Sequence, residues 1–172
     1  MRVWIKSPLA ILGENAAGGI VVENGVIAAC LPAGEEPDAP CDEVFDGSEH
    51  VVLPGLINTH HHFYQTLTRA YGPALDKELF DWLKTLYPVW AGLTPDYLDV
   101  ATRLALAELL LSGCTTAADH HYVFPGGLEN AVDIQAAAAR EMGVRVTLTR
   151  GSMNLSVDDG GLPPRSVVQK GD

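Results

Sequence analysis

PGLINTHHH, residues 54–62 of the chain, combines a Pro-Gly turn signal, a short apolar run and three consecutive histidines. The apolar run predicts a strand that ends in the histidines. Because side chains alternate between the faces of a strand, we expect His60 and His62 on one face, together with Asn58. His61 then points to the other face. Two imidazoles at positions i and i+2 can hold one metal ion, so His60 and His62 are candidate metal ligands; the alternative is a solvated loop of histidines.

Helical and strand patterns alternate after residue 55. Thr94-Pro95-Asp96 has the composition of a helix start, and Gly113 that of a helix stop. The patterns predict strands at 56–60, 114–119 and 144–149, and helical regions at 63–86 (interrupted at Gly72-Pro73), 94–111 and 129–142. Such alternation predicts parallel strands with right-handed crossovers, either as a doubly wound sheet or as the opening of a (β/α)8 barrel. No G-x-G-x-x-G follows the first strand, which disfavours nucleotide binding.

The residues before Pro54 have the patterning of β-structure. Two β-branched runs, 19–23 and 26–30, flank Asn24-Gly25, which is a strong hairpin signal. Residues 44–46 and 50–53 around 47–49 predict a second hairpin. The sequence thus predicts an α/β organisation: residues 1–54 form a small β segment, part of a β-sandwich domain, and residues 55–172 form the first three β/α units of a barrel.

Three strands cannot close a barrel, which usually takes about 250 residues. We therefore expect the barrel to be incomplete in these 172 residues, as in a truncated chain. Active sites of such barrels lie at the carboxyl ends of the strands, which is where the histidines stand.

Composition excludes several classes of function. The formal net charge is −11, which disfavours nucleic acid as a partner and leaves small neutral molecules or proteins. The three cysteines, Cys30, Cys41 and Cys114, lack the spacing of a disulfide framework or a zinc site, and reduced thiols in a cytoplasm are the simpler interpretation. We find neither a signal-peptide pattern nor an apolar run long enough for a membrane span.

The segment VVLPGLINTHHHFYQTLTRA resembles the first barrel strand of the amidohydrolase superfamily, with its Pro-Gly, short apolar strand and H-x-H. Further matches are LYPVWAGLTPD, AELLLSGCTTAADHHYVFP and RGSMNLS followed by GGLPP. These runs resemble the branch of aminohydrolases of purines, pterins and triazines and of triazine chlorohydrolases. The resemblance implies a hydrolase of carbon–nitrogen bonds other than peptide bonds, acting on a purine-like base. The first candidate base is 8-oxoguanine; guanine, an adenosine derivative or a triazine are alternatives.

The resemblance also implies one divalent metal ion, zinc or else iron, held by His60 and His62 with a later His and a late Asp. A Glu and a second His would move protons. No histidine follows His121, so no residue of the chain can supply the remaining imidazoles, and the resemblance implies that the later Asp and Glu are also missing from it. The alternative function is accordingly an inactive fragment that binds metal weakly. For the full-length protein we expect a homo-oligomer.

Four residues are candidate contacts for the substrate. Gln65 has an amide suited to a purine edge, and Trp90 has a ring that could stack on a flat base; a solvated polar residue and a core aromatic are the alternatives. By alternation along the second barrel strand, His120 and Tyr122 share one face, opposite Asp119 and His121. Weaker candidates for the rim end the third strand: Arg150, Ser152 and Met153.

Overall fold

The computed structural model describes residues 1–168 and contains two compact units, Met1–Pro54 and Gly55–Asp172. The first unit is built from strands alone: β1 (Arg2–Lys6), β2 (Ala10–Ile11), β3 (Gly19–Glu23), β4 (Val26–Leu31), β5 (Glu43–Asp46) and β6 (Val51–Val52). Four of them form one sheet in the order β4-β3-β1-β5, and β2 pairs with β6 separately. The buried side chains of Trp4, Val21 and Leu31 pack together on the larger sheet.

One of the two predicted hairpins is present. Strands β3 and β4 are antiparallel, and Asn24 and Gly25 both have positive φ, as a type I′ turn requires. The second predicted hairpin is wrong. A turn does form, with the His50 amide donating to the Gly47 carbonyl, but the strands on either side of it do not pair with each other. Instead β5 runs parallel to β1, and β6 runs parallel to β2. These partners are remote in sequence, so a local turn signal could not predict the pairing.

The second unit alternates strands and helices. Its elements are β7 (Leu56–His61), α1 (Leu79–Trp90), α2 (Pro95–Leu111), β8 (Cys114–His121), α3 (Ala131–Met142) and β9 (Arg145–Arg150). The three strands are parallel and form a sheet in the order β7-β8-β9. Helices α1 and α2 connect β7 to β8, and α3 connects β8 to β9. This is the predicted βαβαβ order with parallel strands.

The helix starts follow local chemistry. The Thr94 hydroxyl accepts the Tyr97 amide at 3.2 Å, and Pro95 occupies the first turn of α2, as predicted. The predicted helical region 63–86 differs: it contains two 3-10 segments, Phe63–Thr68 and Gly72–Ala74, before α1 begins. Positive φ at Ala70 and Asp76 interrupts the helical path, because an L side chain in that conformation cannot continue a right-handed helix.

Two apolar clusters hold this unit together. One joins α2, α3 and the sheet and contains Phe63, Ala105, Leu106, Ala117, Ala139 and Val144. The other surrounds the fully buried ring of Trp90 at the end of α1 and includes Tyr64, Leu98, Val123 and Leu128. The residues that follow β7 and β8 belong to these clusters: Phe63 to the first, and Tyr64 and Val123 to the second. The carboxyl ends of both strands are therefore next to packed side chains. Among residues 1–168 there is no helix with the length and apolar character needed to cross a bilayer.

Candidate metal and substrate site

The three histidines at the end of β7 differ in their surroundings. The rings of His60 and His62 lie side by side, with centroids 5.2 Å apart. The ring of His61 packs instead on Phe63, at 5.0 Å, and is half-buried. All three histidines border an open cavity that Asp119, His120 and Thr149 also line. The two imidazoles proposed as ligands are therefore neighbours at the carboxyl end of the sheet.

The strand is irregular just before these ligands. Asn58 pairs with Ala117 and His61 with Asp119, so three steps along β7 match two steps along β8. This extra residue is a β-bulge, a feature common beside active sites. The Asn58 side-chain oxygen accepts the His60 amide at 3.0 Å. Asn58 thus supports the main chain of His60, and the simple alternation that we expected for Asn58 is interrupted by the bulge.

One ring nitrogen of His62 makes a hydrogen bond to the main chain. Its Nδ1 lies 2.7 Å from the main-chain oxygen of His120. A carbonyl oxygen can only accept, so Nδ1 carries the proton and the lone pair of the neutral ring is on Nε2. Metal-binding histidines commonly have this arrangement, in which one ring nitrogen donates to a carbonyl and the other binds the ion.

The residues at and just after the end of β8 lie next to His62, and His120 borders the same cavity. The His62 ring lies 5.9 Å from the His120 ring and 5.5 Å from the Tyr122 ring, between centroids. His120 is exposed and Tyr122 is half-buried. The structure thus brings both candidate contact residues to the side of His62.

Gln65 lies on the 3-10 segment that follows the histidines. It borders a second open cavity with the three histidines and Arg69. Its Nε2 donates to the Tyr64 hydroxyl at 3.2 Å. Burial raises the pKa of the Tyr64 hydroxyl well above its usual range, so this group stays protonated.

The prediction for Trp90 needs correction. Its ring is fully buried, its Nε1 donates to the Thr68 hydroxyl at 3.2 Å, and the rings of Tyr64, Trp82 and Tyr87 surround it. No face of the indole is open to a substrate. Apolar composition around Trp90 did not distinguish a stacking platform from a core residue, and the packing of α1 places it in the core.

The opposite face of β8 is buried. Asp119 is 2% exposed and accepts hydrogen bonds from the Phe63 amide and from Nε2 of Gln135. Burial raises the pKa of its carboxyl to about 6, although both hydrogen bonds lower it. His121 is fully buried, and its Nε2 lies 2.7 Å from the Val123 carbonyl. Burial lowers the pKa of His121 to about 4, so its ring is neutral near pH 7.

Gly151, which the sequence analysis did not single out, lies against His120 and Tyr122. A β-carbon built at Gly151 would overlap the His120 ring and lie 2.7 Å from Cβ of Tyr122. Only glycine permits the main chain after β9 to pass so close. The neighbouring rim candidates have other surroundings: the Arg150 guanidinium lies 4.7 Å from the Phe124 ring centroid, Met153 packs on the core, and Ser152 is exposed.

The number of side chains that could bind a metal ion at this site is small. Within residues 1–168 no three His, Cys, Asp or Glu side chains are grouped so that they could share one metal ion. His60 and His62 supply two imidazoles of the kind that zinc and iron accept, with Nε2 of His62 available. The pair fits part of a divalent-metal site, which would need further ligands. The three cysteines are free thiols.

Comparison with known proteins relates this site to one family. The sequence model of the amidohydrolase family matches residues 51–170. The chain is 64% identical over 172 residues to 8-oxoguanine deaminase from Pseudomonas aeruginosa, covering 98% of the chain but 38% of that protein. It is 40% identical over 123 residues to hydroxydechloroatrazine ethylaminohydrolase from a Pseudomonas species, covering 69% of the chain and 25% of that protein.

Solved structures agree with this relationship. A triazine hydrolase from Arthrobacter aurescens superposes with a TM-score of 0.85 at 27% identity, covering 98% of the chain and 39% of the hydrolase. Its fold is an amidohydrolase barrel, and the chain has the N-terminal part of that fold, with the barrel incomplete. The chain thus spans less than half the length of these relatives. Because the family's sequence model matches more than half of its residues, the chain belongs to the amidohydrolase family.

Proposed function

We propose that the full-length protein is a metal-dependent aminohydrolase of a purine-like base, with 8-oxoguanine as the first candidate substrate. The observation that carries the proposal is the pair His60 and His62, adjacent at the end of a parallel strand, with Nδ1 of His62 bound to a carbonyl. The 64% identity to an 8-oxoguanine deaminase supports the choice of base, since it extends over the whole region that contains Gln65, His120 and Tyr122.

The proposed cofactor is one divalent ion, with zinc preferred over iron. A solved relative, the atrazine chlorohydrolase of Arthrobacter aurescens, is complexed with zinc. When bound, such an ion would supply an activated water molecule for hydrolysis at the ring carbon that carries the amino group, which would leave as ammonia. In this chain, His60 and His62 would bind the ion as neutral imidazoles, and the residues that transfer protons would come from outside these 172 residues.

The proposed substrate contacts are polar groups beside the ligands. The side-chain oxygen of Gln65 would accept a hydrogen bond from a ring N–H or amino group of the base, while the bond to Tyr64 orients the amide. His120 and Tyr122 would line the wall next to His62. A small molecule is the expected partner, and homo-oligomerisation and a cytoplasmic location stay predictions, which size measurement and cell fractionation would check.

Ammonia release by the full-length protein tests the proposal. We expect turnover of 8-oxoguanine to exceed that of guanine, of a 5′-modified adenosine and of an amino-substituted hydroxytriazine at equal concentration. Turnover of a triazine or an adenosine derivative without turnover of 8-oxoguanine would contradict the substrate but leave an aminohydrolase. Metal analysis of the same preparation distinguishes zinc from iron. Absence of metal and of all four activities would reject the proposed function itself.

A further inference from the structure

The main chain around the proposed ligands depends on side-chain support. The β-bulge between Asn58 and His61 interrupts the regular pairing near the carboxyl end of β7, and pairing resumes only at His61, the last residue of the strand. Beyond His61 the chain leaves the strand and enters a 3-10 segment at Phe63. His62 therefore stands between a bulge and a short helix, where ladder hydrogen bonds do not fix its position.

Asp119 makes a hydrogen bond to the main chain directly after His62. Its Oδ1 accepts the amide of Phe63, the residue directly after His62, at 2.5 Å. Its Oδ2 accepts Nε2 of Gln135, on α3, at 2.8 Å. A carboxylate that accepts an amide in a buried site makes a strong hydrogen bond, since charge strengthens the bond and little water competes for it. At 2% exposure, Asp119 joins the segment after His62 to the central strand and to α3.

Two successive residues of β8 thus hold two successive residues of the ligand segment. The His120 carbonyl receives Nδ1 of His62, and the Asp119 carboxylate receives the Phe63 amide. The Phe63 ring is also fully buried in the cluster shared by α2, α3 and the sheet. A shift of the Phe63 main chain would move His62 relative to the His120 carbonyl, because the two residues are linked by one peptide bond.

We propose that Asp119 is a positioning residue for the metal site. By accepting the Phe63 amide, it keeps His62 in the orientation in which Nδ1 meets the His120 carbonyl and Nε2 stays available. The proposal rests on the proposed role of His62 as a ligand. The competing explanation is that Asp119 serves only to attach α3 to the sheet through Gln135.

Four variants of the full-length protein separate these explanations. Asp119→Val removes both acceptor oxygens, whereas Asp119→Asn keeps one for the Phe63 amide. Gln135→Leu removes the bond to α3 and leaves the bond to Phe63. The double variant Asp119→Val/Gln135→Leu removes both polar partners, so no unpaired Gln135 amide stays buried, which limits the loss of stability. For each, zinc affinity is measured by competition with a chromophoric chelator, and the unfolding temperature is measured without metal.

We expect Asp119→Val and the double variant to bind zinc about tenfold more weakly than wild type, the loss typical of an outer-shell partner. Asp119→Asn and Gln135→Leu should stay within about threefold of wild type. The double variant should unfold at a higher temperature than Asp119→Val without regaining zinc affinity. If Asp119→Val does not fold, the double variant and Asp119→Asn carry the comparison.

The positioning role would be overturned by affinity that recovers together with stability in the double variant, by equal weakening in Gln135→Leu and Asp119→Val, or by more than tenfold weakening in a folded Asp119→Asn. Wild-type zinc binding serves as the reference for the underlying site. If wild type itself binds no zinc, the proposed metal site is wrong. If wild type binds zinc and every variant binds it equally well, only the role of Asp119 is wrong.

Discussion

His62 has two ring nitrogens with different tasks. Nδ1 donates to the main chain of β8, and this bond selects the tautomer in which Nε2 holds a lone pair. His60 has its amide, rather than its ring, fixed by Asn58. The pair is therefore held by neighbouring residues in two different ways.

His121 should make stability depend on pH. Burial lowers its pKa to about 4, below the roughly 6.5 of an unfolded histidine. A lowered folded-state pKa contributes stability that is fully present above pH 6.5 and is lost as pH falls towards 4. Relative to a His121→Gln variant, which keeps an amide donor for the Val123 carbonyl, wild type should lose on the order of 3 kcal/mol of unfolding free energy across this window.

Denaturant titrations of metal-free full-length protein at several pH values check this prediction. Metal-free protein is needed because protonation of His60 and His62 would release metal in the same range. Unfolding free energies of wild type and His121→Gln that change in parallel between pH 7 and pH 4 would show that His121 titrates normally in the folded protein.

Helix α2 offers a test at the level of one element. The Thr94 hydroxyl satisfies the Tyr97 amide, one of the amides at the helix start without a partner inside the helix. Thr94→Ala should lower the unfolding free energy by about 1 kcal/mol, and Thr94→Ser, which keeps the hydroxyl, should lose much less. Chemical denaturation of the three proteins gives the comparison. Equal losses for alanine and serine would mean that the cap contributes nothing measurable.

The elements also show what local sequence can predict. The Asn24-Gly25 hairpin and the Thr94-Pro95 helix start were predictable because each depends on residues adjacent in sequence. The parallel pairing of β5 with β1 was not, because the partner lies some forty residues away and the intervening turn looks like a hairpin turn. Similarly, H-x-H predicted the two neighbouring imidazoles, but nothing in the sequence around Trp90 showed that α1 would bury its ring.

At the level of the whole molecule, the sheet of the second unit has two free edges. In the described residues, β7 and β9 each pair only with β8. Leu56 and Ile57 on β7 are 58% and 68% exposed, and Leu79 and Phe80 on α1 are also exposed. Unpaired edges beside apolar side chains favour association with other chains. The isolated 172-residue chain is therefore expected to be oligomeric, molten or poorly soluble, despite its net charge of −11.

Size-exclusion chromatography and thermal unfolding of the isolated chain test this expectation, and an ammonia assay with 8-oxoguanine is run on the same sample. We expect no turnover, since within residues 1–168 no three His, Cys, Asp or Glu side chains are grouped so that they could share one metal ion. A monomeric peak with a sharp, cooperative transition would show a self-sufficient domain. Measured turnover would show that the 172 residues form a complete enzyme.

The central claim is that His60 and His62 bind the metal and that His61 does not. Elemental analysis of purified full-length protein, compared with its His60→Ala, His61→Ala and His62→Ala variants, tests it most directly. Wild type and His61→Ala should hold about one divalent ion per chain, because the half-buried His61 ring packs on the Phe63 ring. His60→Ala and His62→Ala should lose most of the metal. Equal loss in all three variants, or full metal content in His62→Ala, would contradict the assignment of the ligands.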